Sequence, residues 1–166
     1  MKPSNLLAHF TYKRSFWNDY VEVEKKNKKE DNYYFAFGIA ILCTGGLMLL
    51  RDVTFLVALG FALPFAILIP YLRQRLNYKY LVKDVDNPEV KIFDKFLKIN
   101  DHTIEFISDQ RRLKSLKLIE ASNGMQLLEF DIQWITRKGP TNDEYRIPIP
   151  KDKMEIAEQL LTQLGS

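Results

Sequence analysis

The sequence predicts a membrane α-helical hairpin of two transmembrane helices joined to a small α+β domain, an antiparallel sheet capped by a C-terminal helix. Three patterns predict it. The 40 residues from Tyr33 to Leu72 carry only two charges, Arg51 and Asp52. Beyond Leu72 the chain alternates apolar and polar side chains with the period of a half-buried strand. It closes on apolar residues at helical spacing. The average composition, 46% hydrophobic and 27% charged, hides this segregation.

The apolar run sets the first boundary. One helix over 40 residues would reach roughly 60 Å, whereas a hydrocarbon core is about 30 Å thick and takes about 20 residues per pass. Two passes fit, Asn32 to Leu50 and Val53 to Leu72, with Arg51 and Asp52 at the connection. A charge held at mid-bilayer costs several kcal/mol, about 3 on insertion scales, whereas at the interface Arg51 snorkels toward headgroups. Rows of small residues at four-residue spacing, Ala36, Ala40 and Thr44 in the first span and Ala58, Ala62 and Ala66 in the second, predict that the hairpin packs on itself. Gly45 and Gly46 loosen the end of the first span, and Pro64 and Pro70 kink the second. Cys43, the single cysteine, excludes an intrachain disulfide and a cysteine metal site and is expected to be a small buried hydrophobe.

Seven basic residues (Lys2, Lys13, Arg14, Lys25, Lys26, Lys28, Lys29) precede the first span and six (Arg73, Arg75, Lys79, Lys83, Lys91, Lys95) follow the second within residues 73–95, against Arg51 alone at the turn. The positive-inside rule then places both termini in the cytoplasm of a multi-pass protein of the cytoplasmic (inner) membrane. The charged residues ahead of the first span argue against a cleaved signal peptide. A net charge of +3, explained by these flanks, gives no reason to expect nucleic acid.

Three segments are expected: 1–32, a cytoplasmic N-terminal segment; 33–72, the hairpin; and 73–166, a cytoplasmic α+β domain. In the first, LAHFTYKR is a candidate strand with Leu6, Ala8, Phe10 and Tyr12 on one side, and Ser15 a candidate helix N-cap. Phe16, Trp17, Tyr20, Val21 and Val23 then form a helical stripe, suited either to the membrane interface or to packing against the C-terminal domain. In the third, LKIND, HTIEFIS, LKSLKLIEAS and MQLLEFDIQWITR read as strands. The last is the clearest, with Leu128, Phe130, Ile132 and Trp134 on one face and Glu129, Asp131 and Gln133 on the other. KGPTND reads as a turn and EYRIPIP as a strand with Tyr145, Ile147 and Ile149 inward, placed at an edge because Pro148 has no N–H to donate. Met154, Ala157, Leu160, Leu161 and Leu164 make the stripe of a covering helix that ends near Gly165, with Trp134 and Leu161 in one core.

FTYKRSFWNDY near the start, the tight hairpin, LKINDHTIEF and RIPIPKDKMEIAEQLL together resemble the YcxB-like family of small bacterial membrane proteins. The resemblance covers nearly the whole chain and implies that the C-terminal part is a pleckstrin-homology (PH)-like domain. RRLKSLK departs from the family pattern, and the family supplies architecture without an activity.

No catalytic signature stands out. His9 and His102 are far apart and lack ligand spacing, with His102 expected in a turn after Asn100 and Asp101. There is no nucleophile elbow and no glycine-rich phosphate loop. The alternating Glu129 and Asp131 read as a solvated sheet face. The expectation is a non-enzymatic protein with no cofactor and no metal: a membrane-anchored interaction or scaffold module whose partners are the lipid bilayer and another protein or a second copy. The basic cluster Arg111, Arg112, Lys114 and Lys117 offers an alternative, a tethered sensor of anionic lipid or a phosphorylated small ligand. An oligomeric pore or transport accessory is a third reading, disfavoured by the lack of ionisable residues inside the spans.

Overall fold

The computed structural model describes residues 5–137 and 139–165; Lys2 of the basic flank and Lys138 of the KGPTND segment lie outside them. The elements in chain order are β1 (Leu6–Thr11), α1 (Arg14–Arg51), α2 (Phe55–Asn77), β2 (Glu89–Phe93), β3 (Phe96–Ile99), β4 (His102–Glu105), β5 (Arg111–Glu120), β6 (Gln126–Thr136), β7 (Gly139–Pro148) and α3 (Met154–Leu164). The chain divides into two compact units. One holds Met1–Val23 with Val82–Ser166, the other Glu24–Leu81.

The first unit contains two antiparallel sheets where the sequence suggested one, ordered β1-β2-β3-β4 and β5-β6-β7. β1 is therefore no separate preamble. His9 pairs with Lys91 and Phe10 with Val90, so the sheet's first two strands come from opposite sides of the apolar run. A boundary at 32/33 separates these partners; the contact boundaries fall instead at 23/24 and 81/82. The sequence reading passed over β2, although its Val90 and Ile92 alternate inward between Glu89, Lys91 and Phe93. Asn100, in the left-handed region at φ 51°, begins the tight β3–β4 turn, so His102 opens β4 opposite Ile99 rather than lying in the turn. β7 is an edge strand, as Pro148 requires, but it starts at Gly139: Pro140 pairs with Ile135 and Thr141 with Trp134 within what had read as a turn.

Together with Phe106, just past β4, these strands supply a core of Phe10, Val90, Ile92, Leu97, Ile99, Leu128, Phe130, Ile132 and Ile147, all nearly solvent-free. The Phe106 and Phe130 rings meet at 5.7 Å. From α3 the buried side chains are Ala157 and Leu160, while Leu161 is half-buried. Trp134 is half-buried too, at the far end of β6. The expected Trp134–Leu161 core is thus replaced by one built on Leu160, and Leu6 is exposed at the start of β1. The stripe that opens α1 packs within this unit: Trp17, Tyr20 and Val21 are buried, with Trp17 Nε1 donating to Val82 O at 2.9 Å and Tyr20 Oη to Arg146 O at 2.6 Å. Packing, not a membrane interface, accounts for these aromatic residues.

In the second unit, α1 runs on without a break, merging the expected amphipathic helix and first span. EKKNKKED contains no Gly or Pro to stop it, and its Glu24 and Lys28 pair at i,i+4 with 3.6 Å between charges. The helix begins at Arg14, which puts Ser15 in its first turn and not at the cap. It passes through Gly45 and Gly46 and ends at Arg51; Asp52, at φ 50°, turns the chain before α2. Pro64 and Pro70 lie inside α2. Both helices are long and apolar enough to cross a membrane. Their apolar side chains face outward, with Leu42 77%, Leu49 85% and Leu56 78% exposed, which a soluble core helix would not allow. Ala58, Ala62, Ala66 and Pro70 are the buried positions of α2, and on α1 Thr44 is buried while Ala36 and Ala40 are half-buried. Arg73 lies 5.2 Å from the Phe35 ring and Lys28 5.7 Å from the Tyr78 ring, so the helices run antiparallel as a hairpin. Cys43 is exposed rather than buried, bordering an apolar groove with Gly46, Phe61 and Phe65, because it lies off the small-residue row.

Candidate interaction site

β5 carries the basic cluster, and the pairing register decides what each cation meets. The outward residues of the second sheet fall in rows: Lys117, Glu129 and Arg146; Ser115, Asp131 and Glu144; Arg112, Gln133 and Asn142. A bulge between Leu113 and Ser115 swings Lys114 onto this face, where its Nζ is 3.3 Å from Asp131 Oδ2. Arg112 donates from Nε and Nη2 to Gln133 Oε1, and Gln133 Nε2 donates to Asn142 Oδ1 at 3.2 Å. Arg146 bridges Glu129 at 2.8 Å and Glu144 at 2.9 Å. Opposite charges alternate in the Lys117, Glu129 and Arg146 row, and Lys114 and Arg146 offset the like-charged Asp131 and Glu144, whereas Arg112 meets only neutral amides. Gln133, expected outward beside Glu129 and Asp131, is buried beneath the Arg112 side chain it holds.

Arg111 departs from this pattern. Its guanidinium stacks on the Trp134 ring at 3.7 Å and donates from Nη1 to Glu105 O at 3.2 Å. The four-residue cluster thus divides between the sheet face, where Lys114 is paired with Asp131 and Arg112 is held by the uncharged Gln133, and the end of the sheet, where Arg111 and Trp134 form a separate feature. Only the register and the bulge reveal that division. Arg111 and Trp134 are cross-strand partners, which the sequence could have shown only if the β5–β6 pairing were already known.

A second polar constellation lies where β1 leaves for α1 and the chain returns at Val82. Asp84, at φ 63°, accepts from Asn18 Nδ2 at 3.2 Å and from Arg14, while its own N–H donates to Asn18 Oδ1 at 3.0 Å. Asn18 and Arg14 hold the Asp84 carboxyl below its ordinary range. Lys83 Nζ donates to Glu22 Oε2 at 2.8 Å and lowers that carboxyl likewise. On the first sheet, Glu89 accepts from Lys91 and is hydrogen-bonded to His9, and those contacts depress its pKa, Lys91 foremost. His9 is thus tied to a carboxylate and not to a ligand set. Among the described residues no group of His, Cys, Asp and Glu is arranged to hold a metal ion. These clusters fasten strands and loops to one another; none places a nucleophile beside a base.

The chain matches no family model, and comparison with curated proteins and with solved structures finds no match.

Proposed function

We propose that this chain is a non-enzymatic, multi-pass protein of the bacterial cytoplasmic membrane. In this reading a two-span hairpin anchors a PH-like domain that binds another protein or a second copy, with both termini in the cytoplasm. One observation carries it. The hairpin is inserted between two hydrogen-bonded neighbours, β1 and β2, so the sheet unit has two connections to the membrane-suited helices instead of one flexible linker. Four strands, three strands and a closing helix are the elements of a PH-like domain, and the lysine- and arginine-rich flanks support the orientation.

The orientation is tested with an impermeant thiol reagent on intact cells, in a Cys43→Ser background. Asp52→Cys is labelled and Lys151→Cys is not; the reverse pattern overturns the topology. Quantitative mass spectrometry of the chain purified in mild detergent should find one protein in stoichiometric amount or an oligomer of the chain itself. A bare monomer would count against the interaction module.

A further inference from the structure

We propose that the end of the sheet unit that carries the β4–β5 turn and the last residues of β6 docks onto an anionic lipid surface, with Ile107 and Ile135 entering the interface and Arg111, Arg112 and Arg137 on the headgroups. The proposal rests on the membrane reading above and adds to the hairpin a second contact with lipid.

Among the described residues of this unit, the large side chains that stay exposed are Leu6, Val82, Ile107 and Ile135, the last two 45% and 56% accessible. Three of the four share one end, far along β1 and β7 from Tyr12 and Pro148. Backbone bonds knit that end together: Asp94 N–H donates to Asn5 O, Phe106 and Ile107 both donate to Lys95 O, and Ile135 donates to Gln110 O at 2.8 Å. Ile107 and Ile135 are thus held on a fixed base, so presenting them costs little ordering when they dock. Trp134, half-buried, stacks beneath Arg111 on the face of β6 opposite Ile135. Among the described residues of this end, Lys95, Arg111, Arg112 and Arg137 outnumber Asp94, Glu105 and Asp109, so it carries a net positive charge. Trp with Arg at the rim and an aliphatic point is the arrangement favoured at a bilayer interface.

Size separates lipid from protein as the occupant. A stable protein interface covers about 800 Å² on each partner. Two isoleucines, one on the β4–β5 turn and one near the end of β6, and one half-covered Trp fall well short of that. Separate protrusions suit a fluid surface that closes around each, and burying one isoleucine strengthens association by about tenfold or more.

The chain contains two tryptophans, and Trp17 is fully buried, so Trp134 is a built-in reporter. The full chain is placed in nanodiscs of phosphatidylcholine or of phosphatidylcholine with phosphatidylglycerol, and vesicles of the same two compositions are added. Brominated lipid is placed in either the disc or the vesicle. Trp134→Phe gives the Trp17 baseline. The expected result is quenching of Trp134 by brominated lipid only when phosphatidylglycerol is present, abolished by Ile135→Asp at unchanged melting temperature. Arg137→Glu should lower the bound-to-free ratio about fivefold or more, since each basic residue near an anionic surface contributes about that factor. Absence of quenching in chains that remain in the discs overturns the proposal and leaves the hairpin reading intact. Quenching that ignores lipid charge overturns it as well. So does Ile135→Asp blocking a purified protein partner without any quenching, which would make this end a protein-docking face. Chains that fail to enter discs would remove the membrane reading itself.

Discussion

Tyr12 Oη donates a buried 2.9 Å hydrogen bond to the carbonyl of Pro148, 136 residues away, tying the exit of β1 to the end of the edge strand β7. Tyr12 also meets the Trp17 ring at 5.5 Å, and Trp17 meets Tyr20 at 5.1 Å. These three aromatics fix the first turns of α1 to the sheet unit. Tyr12→Phe keeps the ring and strands the Pro148 carbonyl, so it should destabilise the full chain in detergent by about 1–3 kcal/mol. Chemical unfolding followed by near-ultraviolet circular dichroism measures this.

Burial alone pushes the Tyr12 phenol well above its ordinary pKa. Below about pH 10 the phenol is neutral in both folded and unfolded chains and stability does not respond to it. Above that, the unfolded chain releases the proton first, so stability falls as pH rises. Melting curves between pH 9 and 11, roughly, should show this loss in the wild type and a shallower one in Tyr12→Phe; parallel curves would refute it.

At the acid end, Asp84, Glu22 and Glu89 are all held below their ordinary values, so they add stability above the usual carboxylate range that disappears as pH falls through their folded pKa values. Asp84→Asn removes the Arg14 ion pair and should flatten the acid limb below about pH 4. An acid melting series on the two chains checks the slope. An unchanged limb would show that solvent screening cancels the contact.

In the hairpin, Ala62 is buried and Val57 is 48% exposed. Ala62→Leu overpacks the small-residue row at a cost of about 1–3 kcal/mol, whereas Val57→Leu meets open space. Cross-linking between cysteines placed at Ala40 and Ala66, with Cys43 replaced, should fall in the first variant and hold in the second.

For the sheet unit the ranking is Leu160→Ala, at about 2–5 kcal/mol, above Leu161→Ala and Trp134→Ala, because only Leu160 leaves a closed cavity. Arg112→Glu should also lower stability: it loses Gln133 and adds an acid to a face that already pairs Asp131 with Glu144, so charge reversal across the cluster is not structurally silent.

The sequence by itself determined what depends on neighbours along the chain. Periodicity and the absence of charge fixed two membrane-suited helices, the turn at Arg51 and Asp52, and the row Ala58, Ala62 and Ala66. Alternation placed β6 and its inward Leu128, Phe130 and Ile132, and the missing N–H of Pro148 placed β7 at an edge. Tertiary structure decided what depends on partners distant in sequence. The β1–β2 pairing joins His9 to Lys91 across the whole hairpin, and no local pattern encodes it. The same holds for the side chains of β6. Alternation gave Trp134 and Gln133 opposite faces, but burial followed from what lay across the ladder, where Arg112 covers Gln133 and Arg111 caps Trp134 at an open end. Alternation alone separates Arg111 from Arg112, and the bulge at Lys114 decides that Arg112 shares the face of Lys117 while Arg111 joins Trp134 on the other.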